Sequence, residues 1–402
     1  MQALNVGKTG ERRLLPLQRL EPRRVECMLN RAQAIRPFRM SGTRIVFEAG
    51  WVGEKQCWHS HPMVVRCGTK VYKREGQSLS VCNSMAVTKA TEDAVKKAAQ
   101  ALARGDIVAF PTETVYGLGA NALNAPAVAK IFAAKERPRF NPLIVHVLGL
   151  KEAEAHAVVN VTARKLAEAF WPGPLSLVLP RAQDCEIAEL VSAGLDTIAL
   201  RAPAHPVAQA LLAESGLPIA APSANRSGRI SPTLAEHVEL ELGDIPAMIL
   251  DGGACARGLE STVVGVVGDQ TTLLRVGALP REEIESVLGH ALAMPGPKAK
   301  ITSPGQLESH YAPQMPLRLD VVAPRNGEAL LAFGPDAPDF AGPTINLSNR
   351  GDLAEAAVKF FAALRTLDAS GAKAIAVMPI PGHGLGEAIN DRLRRAAAAH
   401  SC

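Results

Sequence analysis

From Glu92 onward short apolar runs alternate with longer amphipathic segments, and no other feature constrains the fold as strongly. Apolar runs bounded by turn residues predict strands over 107–110, 143–147, 175–179, 197–200, 219–221, 248–250, 263–266 and 273–276. Amphipathic spacing predicts helices over 92–104, 126–135, 162–170, 205–214, 233–242 and 280–288. The first of these sets Val95, Ala98, Ala99 and Leu102 on one face and stops at Gly105. Such alternation gives an α/β fold, with a mixed sheet where strands follow one another closely. The pattern pauses over 290–316, where Pro295, Gly296, Pro297 and then Ser303-Pro304-Gly305 read as a linker. It restarts with strands near 330–333 and 374–377 and helices over 352–368 and 387–399. A larger α/β domain over 85–289, a linker over 290–316 and a smaller α/β domain over 317–402 are expected.

Residues 1–84 do not share this pattern. They hold 11 Arg and 4 Lys against 6 Glu and no Asp, a net +9, while the rest of the chain carries −4. A targeting peptide would be Arg-rich but poor in acids, and Glu11, Glu21 and Glu26 come early. Cys57, His59, His61 and Cys67 could hold zinc, although their spacing matches no familiar ligand pattern. Gly7-Lys8-Thr9 has the look of a phosphate-binding loop, but Gln2 stands where its first glycine is needed. An extension that adds no fold is the favoured reading, because the helix–strand pattern begins cleanly after Met85.

Composition removes several classes. With 47% hydrophobic and 21% charged residues the chain is neither disordered nor a coiled coil. No apolar stretch approaches the ~18 residues that span a bilayer. Seven cysteines in 402 residues make no disulfide scaffold, and 4% aromatics leave an aliphatic core.

Four polar loops follow or precede apolar strands, where open α/β sheets place ligands. Pro111-Thr112-Glu113-Thr114-Val115-Tyr116-Gly117-Leu118-Gly119 is the richest. Its glycines imitate a dinucleotide fingerprint, but the Thr-Glu-Thr interruption breaks that spacing, so a substrate loop is favoured over a plain glycine turn. Lys135-Glu136-Arg137-Pro138-Arg139-Phe140-Asn141-Pro142 closes a helix, where basic residues often serve only the helix dipole. It runs into Leu143-Ile144-Val145-His146, and a lone His in such a strand is more often a core residue than a ligand. Pro222-Ser223-Ala224-Asn225-Arg226-Ser227-Gly228 suits a backbone wrapped around a phosphate. Gly258-Leu259-Glu260-Ser261-Thr262 is the fourth, and Leu274-Arg275-Val276-Gly277 supplies one more cation beside a strand end. Together they suggest one anion-binding cleft. No Ser-His-Asp, Cys-x-x-Cys or His-Glu-x-x-His pattern is present, which leaves chemistry by positioning and cations, as in nucleotidyl transfer.

As a set, these motifs resemble the YrdC-like domain of the threonylcarbamoyl-adenylate synthases. The linker through His310-Tyr311-Ala312-Pro313 and the closing Ala388-Ile389-Asn390-Asp391-Arg392-Leu393 resemble the longer, two-domain form, so the match spans about 90–400. The resemblance implies a twisted mixed sheet with flanking helices and a smaller Rossmann-like domain. It implies a cytoplasmic nucleotidyltransferase that joins L-threonine, bicarbonate or CO2, and ATP. A downstream transferase would move the threonylcarbamoyl group onto tRNA, with possible tRNA contact and no membrane. By motif position Thr114, His146, Arg201 and Ser261, with the backbone of Ala221, would hold threonine, Arg201 as the carboxylate fork. Lys135 and Arg137 would be catalytic. Arg137, Asn141, Thr197, Ser223, Asn225, Ser231, Arg275, His310 and Tyr311 would surround ATP. Mg2+ follows from ATP use, with no ligand residue assigned. Glu136 stands where the family often has Gly, which would put a negative charge near the triphosphate path. Tyr311 would cover the nucleotide as part of a lid, the alternative being that it packs between the domains.

Two other functions compete. A carbamoyl-transfer domain of hydrogenase maturation type would carry an acylphosphatase unit and paired Cys-x-x-Cys motifs, which residues 1–84 lack. A non-catalytic RNA-binding module would need a basic cleft, and the −4 of residues 85–402 weakens that reading.

Overall fold

The computed structural model describes residues 87–296 and 310–399, together with the backbone of six earlier strands. Those are β1 (Gln2–Val6), β2 (Arg12–Pro16), β3 (Ile45–Val46), β4 (Val64–Cys67), β5 (Lys70–Glu75) and β6 (Ser78–Cys82). β1 and β2 pair antiparallel, and β3 to β6 form an antiparallel meander. The sequence reading anticipated none of the six. Met1–Ala86 is a unit by itself, and Val87–Cys402 is a second. The side chains weighed as zinc ligands, and Ser303-Pro304-Gly305, lie outside the described residues.

The second unit opens with β7 (Val87–Lys89) and α1 (Glu92–Ala103). Thr91 caps α1 by accepting the Ala94 N–H at 3.3 Å, and the stripe of Val95, Ala98, Ala99 and Leu102 is buried. The chain continues through β8 (Val108–Phe110), β9 (Gly117–Asn121), α2 (Ala125–Lys135), β10 (Ile144–His146), α3 (Leu150–Glu154), α4 (Val161–Phe170) and β11 (Leu175–Pro180). Then come α5 (Glu189–Ser192), β12 (Thr197–Arg201), α6 (Pro206–Ser215), β13 (Ile219–Ala220), α7 (Ala235–Leu242), β14 (Met248–Asp251), β15 (Thr262–Val267), β16 (Gln270–Arg275) and α8 (Arg281–Leu288). Ten strands make one mixed sheet, in the order β16-β15-β11-β12-β10-β13-β9-β8-β14-β7. β10 and β12 run parallel at its centre, with His146 the register partner of Arg201.

The glycines read as a loop belong to a strand. A Cβ on Gly119 would stand 2.8 Å from both the Ile219 Cγ2 and the Phe110 Cε1, so β9 needs glycine to pack against its neighbours. β9 escaped the sequence reading because it lacks the β-branched and aromatic residues that mark strands.

The smaller domain has a four-stranded parallel sheet, β17 (Leu317–Arg318), β20 (Ala374–Val377), β18 (Glu328–Ala332) and β19 (Thr344–Asn346) in that spatial order. Its helices are α9 (Leu353–Asp368) and α10 (Leu385–Ala398). Asp352 caps α9 through the N–H groups of Ala354 and Glu355. One apolar cluster joins Phe360, Phe361 and Leu364 of α9 to Val115, Ile230 and Leu259 of the larger domain. Among the described residues no helix is long and apolar enough to cross a membrane.

Candidate active site

The central strands carry a narrow cleft, with about 50 Å³ open to a water molecule. Side chains two apart on a strand share a face, so Ile144 and His146 both line it while Val145 turns into the core. Thr112, Thr114, Arg137, Arg201, Ala221, Ser223, Ser261, Arg275, His310 and Tyr311 complete most of the wall. The four polar loops therefore meet at one place.

Arg201 is held from three directions. Its Nε donates to Gly173 O at 3.1 Å, Nη1 to Thr114 Oγ1 at 2.9 Å and Nη2 to Glu113 Oε1 at 2.5 Å. The other Glu113 oxygen accepts the Ala204 N–H at 3.0 Å. Glu113, which sequence reasoning left without a role, thus fixes the guanidinium, and two of its five N–H groups remain for a ligand. Thr114 is itself tied to Thr112, hydroxyl to hydroxyl, at 2.8 Å. On the opposite wall the Ser261 hydroxyl meets that of Ser176 at 2.8 Å, and Arg275 donates to Ser261 O at 2.8 Å and Ser261 Oγ at 3.1 Å. Gly277 is required there: a Cβ would come within 2.4 Å of Glu260 O.

Lys135 and Arg137 are buried, and their hydrogen bonds run to neutral carbonyls. The Lys135 ammonium donates to Ser223 O at 2.6 Å and to Asn225 O; Arg137 donates to Asn141 O at 3.2 Å and Pro142 O at 2.8 Å. Burial, with Arg137 alongside, pushes the Lys135 ammonium well below its usual pKa, and burial lowers Arg137 to about 10. Burial and then the charges of Arg137 and Lys135 hold the His310 imidazole neutral far below its ordinary range. Cations that depress one another in this way form a site that an anion would relieve. His146 is likewise pushed down to about 3, by burial and then by Arg201.

Buried polar atoms without a protein partner fall mostly on the expected site residues. Among the described side chains seven such atoms occur, and five belong to predicted site residues: both amide atoms of Asn141, His146 Nδ1, Asn225 Oδ1 and His310 Nδ1. Native proteins rarely leave such groups orphaned, except where a ligand or water completes them.

Of the expected site residues, Lys135, Asn141, Thr197, Asn225 and Ser231 are not among the cleft-lining residues; Thr197 begins β12, four residues or ~13 Å of strand from Arg201. Glu136 does not line the cleft either: its side chain is 74% exposed and pairs with Arg226 at 2.5 Å. Its φ of 53° places it in the left-handed cap of α2, which explains a preference for glycine at this position. Tyr311, also left-handed at φ 65°, both lines the cleft and packs in the interdomain core, its ring 5.7 Å from Phe361.

A dedicated metal site does not fit these residues. The only carboxylate lining the cleft, Glu260, is engaged by Ser231 at 2.5 Å and Arg392 at 3.0 Å. No described group of three or more His, Cys, Asp or Glu could hold an ion.

Comparison with known proteins gives the family. A family model described as "Telomere recombination" matches residues 100–277, and one described as "Threonylcarbamoyl-AMP synthase, C-terminal domain" matches 279–398. The threonylcarbamoyl-AMP synthase of Bacillus subtilis (strain 168) is 41% identical over 324 residues, 75% of this chain and 92% of that protein. That of Pyrococcus abyssi (strain GE5 / Orsay) is 40% identical over 329 residues, 75% of this chain and 94% of its own. The crystal structure of the P. abyssi protein complexed with L-threonine is similar with a TM-score of 0.70 at 39% identity, covering 77% of this chain and 95% of that one. The chain belongs to the threonylcarbamoyl-AMP synthase family, nucleotidyltransferases that here combine the mixed-sheet domain with the family's C-terminal domain.

Proposed function

We propose that the chain condenses L-threonine, CO2 or bicarbonate, and ATP into threonylcarbamoyl-adenylate and pyrophosphate. The observation that carries this reading is the orphaned set Asn141, His146, Asn225 and His310 beside the buried cations Lys135 and Arg137.

The carboxylate of threonine meets the remaining N–H groups of Arg201, with the Thr114 and Ser261 hydroxyls beside it; charge-assisted bonds of this kind fix orientation. His146, neutral at working pH, offers or accepts a hydrogen bond without repelling the substrate amine. That amine attacks the carbon of CO2, and loss of its proton leaves a carbamate. A carbamate oxygen then attacks the α-phosphorus of ATP. The bond from that phosphorus to the bridging oxygen breaks, and pyrophosphate leaves with the electron pair. Lys135, Arg137 and Arg275 stabilise the charge that grows on the phosphate oxygens, preorganised by carbonyl contacts that exist before substrate arrives. Mg2+ accompanies ATP in this reading without a protein ligand set, and no step depends on one. The product is a mixed anhydride, so the reading includes a transferase that consumes it on tRNA.

The test is threonine-dependent pyrophosphate release with ATP and bicarbonate, and detection of the adenylate by mass spectrometry. Pyrophosphate release that is absent, or indifferent to threonine, would overturn the reading.

A further inference from the structure

The loop before β15 is one place where the smaller domain meets the cleft. A Cβ on Gly258 would stand 2.3 Å from the Ala357 carbonyl of α9. Leu259 joins the apolar cluster of Phe360 and Phe361. Glu260 reaches α10, where Arg392 Nε donates to its Oε2 at 3.0 Å. The next residue, Ser261, accepts from Arg275 and, like Glu260, lines the cleft.

Arg392 is fully buried, at 0% exposure, and its other nitrogens are also engaged. Nη2 donates to Val276 O at 2.8 Å, directly after Arg275, and Nη1 to Asp391 Oδ2 at 2.6 Å. Its guanidinium carbon lies 4.9 Å from the centre of the Tyr311 ring. The same helix receives the linker, since the His310 N–H donates to Arg395 O at 3.3 Å. Arg392 does not line the cleft, yet it touches Glu260, the residue after Arg275, and Tyr311, and through Glu260 it reaches Ser231.

We propose that Arg392 is a positioning residue through which the smaller domain completes the nucleotide pocket. The inference rests on the ATP reading above. Glu260 is the one carboxylate among the cleft-lining residues of a site built for anions. Held by Arg392, its charge is neutralised and its oxygens are turned to Arg392 and Ser231. Without Arg392 the buried carboxylate is left with Ser231 and the field of Arg275, and it both repels the triphosphate and competes for that cation.

The test uses the full chain with Arg392→Met, Arg392→Lys and the double variant Arg392→Met/Glu260→Gln. ATP dissociation constants come from calorimetry, and the Michaelis constants of ATP and threonine from pyrophosphate release. Arg392→Met is expected to raise the ATP constants by about tenfold or more and the threonine constant by no more than about twofold. Arg392→Lys, which keeps the charge but not the three-way contact, falls between. The double variant, which removes both charges, returns ATP binding to within about threefold of wild type. The unchanged threonine constant separates this from a purely structural role, which would move the ATP and threonine constants together. Wild-type ATP binding in Arg392→Met, or a folded double variant as weak as the single one, would overturn the proposal. If Arg392→Met does not fold, the folded double variant alone decides by the same criterion. A wild-type chain that binds no ATP would instead remove the nucleotide reading itself.

Discussion

Replacing Arg201 by alanine separates its two roles, and the structure sets the size of each. The side chain is 4% exposed and its partner Glu113 10%. Removal deletes three hydrogen bonds and leaves the Glu113 carboxylate buried with only the Ala204 N–H. Truncating one partner of a buried pair costs about 3–5 kcal/mol. At roughly 2–4 °C per kcal/mol for a domain of this size, Tm should fall by about 6–20 °C. A charge-assisted contact to the threonine carboxylate is worth about 1.5–3 kcal/mol, so the threonine KM should rise about 10- to 150-fold. The ATP KM should stay within about threefold, because no contact to the Lys135 and Arg137 group is lost. Thermal unfolding gives the first quantity, and pyrophosphate release well below Tm gives the second. The double variant Arg201→Met/Glu113→Gln should recover much of the stability but none of the threonine affinity. A variant that loses stability while both KM values rise equally would refute the assignment of Arg201 to threonine. One that keeps its Tm within about 2 °C would refute the account of the buried pair.

Glu136→Gly should leave stability equal or raise it by up to about 1 kcal/mol, because relief of the left-handed strain offsets the loss of an exposed ion pair. Chemical denaturation checks this, and a clear loss of stability would show that the Arg226 pair outweighs the strain. Burial depresses His146 to about 3 and His237 to about 4, and lowers His156, His205 and His310 as well. Unfolded histidines take protons from about pH 6.5 downward while these folded ones do not, so stability is full above that pH and is lost as pH falls toward 3. A pH series of unfolding free energies should show that slope, and His146→Gln should flatten it. Tyr311→Ala should lose about 3–5 kcal/mol and weaken ATP binding together, since one ring serves both the interdomain core and the cleft. Weak ATP binding at an unchanged Tm would show that the ring acts as a cover alone.

The legible parts of the sequence were those whose signal is local. The stripe on α1 and the apolar runs of β8, β11 and β12 have a period that a window of a few residues contains, and each element lies within a residue or two of its expected bounds. The site loops were legible for the same reason: each is a continuous motif at a strand end, and the cleft gathers Thr114, Arg137, His146, Arg201, Ser261 and Arg275. β9 was not legible, because its Gly-Leu-Gly-Ala core is chosen by what packs across the sheet rather than by strand propensity.

What stayed hidden are the groups that face away from the ligand. Glu113 and Arg201 are 88 residues apart, and Glu260 and Arg392 are 132 apart. Nothing local in either pair announces the other, because a buried carboxylate and a surface carboxylate look alike in a sequence. The rule that a buried charge must have a partner becomes useful only once burial is known. Applied here, it explains why acids stand in and behind the wall of the cleft. Glu113, behind it, fixes the Arg201 guanidinium, and Glu260, in it, accepts the bond from Arg392 of the smaller domain. Each acid is neutralised by a cation that its own side chain fixes in place. The cations left to face only carbonyls, Lys135 and Arg137, are those that a triphosphate would have to satisfy.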